Sequence, residues 1–273
     1  MPKQKRNLPD YDNPPVTEVV IGVQFDRLEK FNALHPGIYW QRVKDNYPVF
    51  KAHPPLADKV EVFDSLPPPP KEVMFSQVPP IPRCWFIENE QNRVIQLQAE
   101  HFLHNWRKVK GTDTYPRYDK IRKDFKALWT DFLKFVREEK LGEVKANHWE
   151  VTYVNHLTKG VEWDSLADLK KIFSYWSGKS SEKYLPEPEN LDLNLSYVFP
   201  DKQGRLYISL GRAFRASDKT EVLLLKLTAR GRLESPDSKT LLRSLDLGRE
   251  WIVRGFTDFT SNQAHCIWKR KDK

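Results

Sequence analysis

Cysteine is nearly missing from this 273-residue chain, which holds only Cys84 and Cys266. Two thiols so far apart offer neither a disulfide framework nor metal-ligand spacing, and they fit a reducing cytosol. Long apolar runs are missing too. No stretch reaches the eighteen or so residues of a membrane-crossing helix, so no membrane contact is expected. The opening MPKQKRNLPDYDNPP lacks the apolar centre of a signal peptide. Glycine is sparse at 11 residues, and no Walker-type loop is among them, which excludes a P-loop nucleotide site. GxSxG is absent, and neither cysteine has a histidine context that would make it a nucleophile.

What is present is a soluble-type composition: 39% hydrophobic, 30% charged, 12% aromatic with nine tryptophans, and a mean hydropathy of −0.67. The net charge of +8 is compatible with nucleic acid or another polyanion as partner. It is spread evenly, with 23 basic against 19 acidic residues in 1–142 and 22 against 18 in the rest. Local excesses exist. Asn105 to Lys126 holds eight basic and three acidic residues, and Lys202 to Arg232 eight and two.

Periodicity predicts two similar halves. Residues 1–13 read as a flexible basic arm. Val19, Ile21, Val23 and Phe25 then alternate as a half-buried strand, and PGIYWQRVKDNYPVF offers a short helix. Ten of the 20 prolines lie between Pro48 and Pro82. Proline has no amide proton and a fixed φ, so 48–82 is expected to be an extended insertion, suited to a lid or a partner-binding segment. Three strands follow (RCWFIEN, RVIQLQ, HFLHNW), then a helix with Tyr118, Ile121, Phe125, Leu128, Trp129, Phe132 and Val136 as its buried stripe and Gly142 as its stop. The second half repeats the order: strand NHWEVTYVNHL, helix DSLADLKKIFSYWSG capped by Asp164, three strands, and a last helix capped by Ser235. The expected fold is α+β, with two β-α-β-β-β-α pseudo-repeats at 14–142 and 143–273. They would form curved antiparallel sheet with helices on one face, a TATA-binding-like saddle by element order alone.

Four stretches together resemble the uncharacterised bacterial family described as sporadically distributed: NPPVTEVVIGVQFDRL, RVIQLQAEHFLHNWRK with YPRYDKIRKDF, TYVNHL, and LDLGREWIVRGFTDFTS with HCIWKR. This chain departs from the family in carrying Thr152 where an arginine usually precedes the tyrosine-asparagine pair, so no role of that arginine carries over. The resemblance implies no activity. Patchy distribution implies accessory or mobile loci, such as phage defence or toxin–antitoxin modules.

Several residue groups invite chemistry. In EHFLH, His101 and His104 alternate on a strand and point to opposite faces, so with Glu100 they make no metal motif. Asp26, Glu100, Glu150 and Asp192 lie on or beside strands, but no spacing fixes any two on one face for acid–base work. The stronger candidates bind. Asn105 sits beside the core anchor Trp106, followed by Arg107 and Lys108, with Lys110 and Arg117 near in sequence; guanidinium and ammonium groups together suit a phosphate. Tyr153 and Asn155 would share that cleft, or both asparagines would simply cap turns. Arg205, Arg212 and Arg215 alternate with Tyr207 and Phe214 on one hairpin, a pattern for stacked bases and phosphates or for a charged sheet edge. The expected function is therefore non-enzymatic, without cofactor or metal: recognition of nucleic acid or a nucleotide-like polyanion by an accessory or defence component. The alternatives are a protein-interaction module engaging a partner through 48–82, antitoxin-like or scaffolding, and a metal-dependent nuclease.

Overall fold

The computed structural model describes residues 7–63, 81–176 and 184–271. Alternation in the first apolar run gives strand β1 (Val16–Phe25), with Val19, Ile21, Val23 and Phe25 buried. Helix α1 (His35–Val43) follows, opened by Pro36, whose missing amide proton is harmless in the first turn. Strand β2 (Val49–His53) lies in the proline-rich stretch, and β3 (Arg83–Ile87), β4 (Arg93–Leu97) and β5 (His101–Arg107) succeed it. Helix α2 (Tyr118–Glu138) completes the first half.

The second half begins with β6 (Ala146–Thr158), continues through the short helix α3 (Leu169–Ile172) and strands β7 (Asp192–Val198), β8 (Arg205–Phe214) and β9 (Glu221–Arg232), and closes with α4 (Ser238–Phe259) and α5 (Asn262–Ile267). The fold is α+β. Among the described residues, nine strands make one antiparallel sheet in the order β2-β3-β4-β5-β1-β6-β9-β8-β7. β1 and β6 pair at the centre, from Val16–Asn155 to Phe25–Ala146. Outward from β1 come β5, β4 and β3; outward from β6 come β9, β8 and β7.

All the long helices pack on one face. Phe25 and Phe102 meet Trp129 and Phe132 of α2, Tyr39 of α1 meets Phe86, and Trp251 of α4 stacks on Phe199 beside Trp149. Fully burying an aromatic of this size contributes on the order of 2–3 kcal/mol, so this aromatic layer is a large part of the hydrophobic gain. Gly248 permits the approach of α4, because a Cβ there would lie 2.5 Å from Trp149 Cζ3. Arg122 of α2 and Asp246 of α4 tie the two helices with paired contacts of 2.6 and 2.8 Å.

Several elements differ from expectation. VFKAH, between Pro48 and Pro54, pairs with β3 as an edge strand rather than remaining irregular. Pro67–Pro70 lie outside the described residues. The arm expected to be flexible is held at Asp10–Asn13: Asp12 and Asn13 donate backbone amides to Lys269 and Trp268, and Tyr11 is buried against Phe256 and Trp268. The DSLADLKKIFSYWSG helix shrinks to a 3-10 turn (Leu166–Asp168) plus α3. Its cap is Ser165, in a capping box with Asp168, and Phe173 turns extended to bridge Thr260. Asp237, not Ser235, caps α4, accepting from the amides of Lys239 and Thr240 at 2.9 Å. After α2, Lys140 is left-handed at φ 53° and Gly142 also takes a positive φ, of 116°, so the first left-handed residue comes two positions ahead of the expected glycine. Among the described residues, no helix is long and apolar enough to cross a membrane.

Candidate functional site

Period-two alternation sends every second strand residue to the face that carries no helix. In the first half that face bears Lys51, Arg83, Trp85, Gln96, Asn105 and Arg107, as the strand registers require. In the second it bears Glu150, Thr152, Lys226, Thr228, Arg230, Arg232, Arg205 and Tyr207. Among the described residues, Lys51, Arg83, Arg107, Lys226 and Arg232 enter no ion pair. Lys51, Lys226 and Arg232 are exposed, and Arg83 and Arg107 are half-buried.

Trp85 is the aromatic centre of the first-half patch. His53 lies against it with ring centroids 4.1 Å apart, and the guanidinium carbons of Arg83 and Arg107 stand 5.5 and 5.8 Å from its centroid. Arg83 donates to Gln96 (3.0 Å), Gln96 to Asn105 (2.8 Å) and Asn105 to Glu18 (2.6 Å). This relay crosses four strands and fixes the side chains sideways, although Arg83 Nε, Trp85 Nε1 and His53 Nε2 beside it are buried without a hydrogen-bond partner.

The second-half patch is built on a buried carboxylate. Residues 54–63, after β2, run across the helix-free face, and Glu61 enters it with 1% of its surface exposed. Arg205 Nη1 donates to Glu61 Oε2 at 2.5 Å, Arg230 Nε donates to Oε1, and the Tyr207 hydroxyl lies 2.7 and 3.0 Å from the two oxygens. Arg230 also stacks over Tyr207, 4.3 Å from its centroid. Between the patches, Lys59 Nζ donates to Glu150 at 2.7 Å. Burial works against the Glu150 charge, yet Lys59 and Arg230 hold its carboxyl below the usual range.

The candidates from the sequence fall in four places. Asn105 and Arg107 share the first-half patch, but Asn105 is buried inside β5 rather than ending it, and Arg107 Nε is directed to the Gln91 carbonyl at 2.7 Å. Lys108 is exposed beyond the strand. Arg205 and Tyr207 grip Glu61. Arg117, Tyr153 and Asn155 lie instead on the helix side, around a pocket shared with Tyr115, Tyr118 and Arg249. There Arg117 donates to Asp10 (2.8 Å), the Tyr153 and Tyr115 hydroxyls bond at 2.9 Å, and Asn155 donates to the Leu225 carbonyl (3.1 Å). The cleft expected to unite Asn105 with Tyr153 and Asn155 does not form, because the two asparagines face opposite sides of the sheet. Arg212, Phe214 and Arg215 sit at the β8–β9 hairpin: Arg212 is paired with Glu221, Arg215 with Asp218, and Phe214 is exposed. They do not join the Arg205–Tyr207 face, since Arg212 and Phe214 have the opposite parity.

His101 and His104 also point to opposite faces, as alternation requires. Burial pushes both rings down to about 4, so both are neutral at physiological pH. His101 brings a ring nitrogen within 4.8 Å of the carboxylates of Asp58 and Glu100. Glu100 is engaged there by Gln98 and faces Arg27 at 3.9 Å, contacts that compete with a cation for its oxygens.

Sequence reasoning passed over Arg83, Trp85, Arg230 and Glu61. The first two carry the same basic-x-aromatic spacing that singled out Arg205 and Tyr207, so that rule applied to RCW would have found them. Glu61 has no such signal, because its partners stand 144 to 169 positions away. Comparison with protein-family models and with curated proteins finds no match for this chain.

Proposed function

We propose that the protein is a non-enzymatic binder of single-stranded nucleic acid, or of a polyanion of like chemistry, and that the helix-free sheet face is its contact surface. The observation that carries this reading is the placement, on one side of one sheet, of five cations that enter no ion pair among the described residues, two of them, Arg83 and Arg107, over the Trp85 ring. Guanidinium and ammonium groups neutralise phosphates, while an aromatic face stacks a base at about 1–3 kcal/mol. The sheet supplies a rigid platform with cations on both sides of the central β1–β6 pair. In this reading the chain is a duplicated β-α-β-β-β-α unit, supported by the like strand connectivity on either side of that pair. The sheet would then be a saddle of the TATA-binding-like kind. The resemblance to the sporadically distributed bacterial family supports reading such a binder as part of an accessory or defence module acting in the cytoplasm.

The test is a titration of the full chain with a fluorescent single-stranded oligonucleotide at several salt concentrations. The expected result is affinity that falls with salt, with a logarithmic slope of roughly −3 for about four or five phosphates neutralised. No binding at low salt overturns the reading. A second reading, docking of a partner protein, is favoured by β2. Among the described residues it is an edge strand, paired only with β3 and with Val49 and Phe50 exposed, suited to strand addition by another chain.

A further inference from the structure

The segment that crosses the helix-free face is attached in an unusual way. Residues 54–63 form no backbone–backbone hydrogen bond with the sheet among the described residues. Their anchors are side chains: Gln98 exchanges hydrogen bonds with the backbone of Leu56 (2.8 and 3.0 Å), and the Lys59 amide donates to Gln24 (3.1 Å). Beyond these come Lys59 on Glu150 and the Glu61 carboxylate between Arg205, Arg230 and Tyr207. A strap of this kind can leave without breaking a strand ladder. The clamp it would uncover belongs to the strands β8 and β9 and keeps its frame.

We infer that Arg205, Arg230 and Tyr207 form a phosphate-binding subsite, and that Glu61 fills it as an internal stand-in until a phosphate group displaces it. The inference rests on the proposed polyanion reading and names the ligand chemistry of one point on that surface. The two guanidiniums bring one more positive charge than the Glu61 carboxylate alone balances. The phenol already spans both carboxylate oxygens. Arg205 Nη2, now donating to the Val62 carbonyl at 3.0 Å, gains a free donor once the strap departs. A terminal phosphomonoester offers these donors three oxygens and up to about two charges where Glu61 offers two oxygens and one, and charge-assisted contacts of this kind favour the more highly charged anion; a backbone diester matches Glu61 in oxygens and charge and would compete through its neighbouring phosphates. The phosphate can come from a backbone diester or from a terminal monoester, and the two are separable by experiment.

Because strap and ligand compete, the apparent affinity is the intrinsic affinity scaled by the fraction of molecules with the clamp open. Glu61→Gln keeps the side-chain shape and removes the charge, so the strap is held less and the clamp retains its donors. The experiment compares wild type, Glu61→Gln and Glu61→Gln/Arg230→Gln by anisotropy, using a single-stranded oligonucleotide with and without a 5′-phosphate. Glu61→Gln is expected to bind about tenfold tighter or more, with a steeper salt slope, and the added Arg230→Gln to remove that gain. A gain confined to the phosphorylated oligonucleotide assigns the subsite to a terminal monoester; an equal gain with both assigns it to the diester backbone. A folded Glu61→Gln that binds no tighter than a wild type that does bind overturns the subsite and leaves the surface reading standing. No binding by either overturns both. Amide hydrogen exchange on the wild type gives a second measurement that needs no variant. Saturating oligonucleotide should speed exchange at Lys59 and Leu56, and slowed or unchanged exchange overturns the displacement.

Discussion

Acidifying the protein from pH 7.5 to pH 4.5 should cost the folded state about 2–3 kcal/mol through His104 alone. The ring is 1% exposed on the helix side of β5, and neither of its nitrogens has a hydrogen-bond partner. Its cross-strand neighbours are Ile21 and Ile95; the charged groups acting on it are Asp124 and Lys120 of α2 and Arg93 of β4. Burial is the largest influence and pushes the ring down to about 4 from an ordinary value of 6.5. Between those two values the unfolded chain holds a proton that the folded chain refuses. The stability is therefore complete above pH 6.5 and is lost as the pH falls toward 4, by roughly 1.4 kcal/mol for each pH unit. His101, also pushed to about 4, adds a parallel loss, so wild type alone does not isolate one ring. The isolating comparison is His104→Leu, measured by urea unfolding at pH 7.5, 5.5 and 4.5 at constant salt. Leucine has a comparable volume and leaves no buried nitrogen unpaired, so the variant should match or exceed wild type at pH 7.5. At pH 4.5 its advantage should grow by about 2–3 kcal/mol. If wild type and His104→Leu lose the same stability over that range, His104 is not held neutral by the fold and the reasoning fails.

Other outcomes follow from the geometry. Trp106→Ala should destabilise by about 3–5 kcal/mol, read by chemical denaturation, because the ring is buried against Tyr115. Arg107→Ala combined with Lys108→Ala should leave the melting temperature nearly unchanged while making the salt slope of oligonucleotide binding shallower by roughly 1–2 units; an unchanged slope would remove both residues from the interface. Gly248→Ala should destabilise by about 1–3 kcal/mol, since the new methyl meets the Trp149 ring. Against the nuclease alternative, an oligonucleotide incubated with the protein and Mg2+ or Mn2+ should stay intact; cleavage that Glu100→Gln abolishes would install Asp58, Glu100 and His101 as a metal centre.

The strands were legible because one face is buried and the other is not, so Val19, Ile21, Val23 and Phe25 and their counterparts announce themselves by period. Helix α2 announced itself equally through its aromatic stripe. Strand β2 was hidden because VFKAH is solvent-facing on an edge and flanked by prolines, so pairing with β3 rather than its own pattern defines it. The length of α3 was misjudged because Ile172 and Trp176 keep helical spacing, although Phe173 is more stably buried against Phe259 in an extended backbone. Arg205 and Tyr207 could be placed together from spacing within one strand. Their joint grip on Glu61 could not, since it depends on a chain crossing that no local pattern encodes. The separation of Asn105 from Asn155 has the same origin: each lies in a strand of clear alternation, but parity relative to the helices is fixed only by the register of β1 with β5 and β6.

That register has a consequence for synthesis. β1 is made first, yet one of its two neighbours, β6, is finished only at Thr158. Until the ribosome has delivered that residue, the newborn first half carries an open ladder of amides and carbonyls along Val16–Phe25. The β6 segment closes the ladder by adding to a template already seated on β5. Assembly is then vectorial, with the early half serving as the mould for the late one. Two such nascent chains meeting before that point would present each other with the same open ladder, which makes the rate of elongation through 143–158 a determinant of yield.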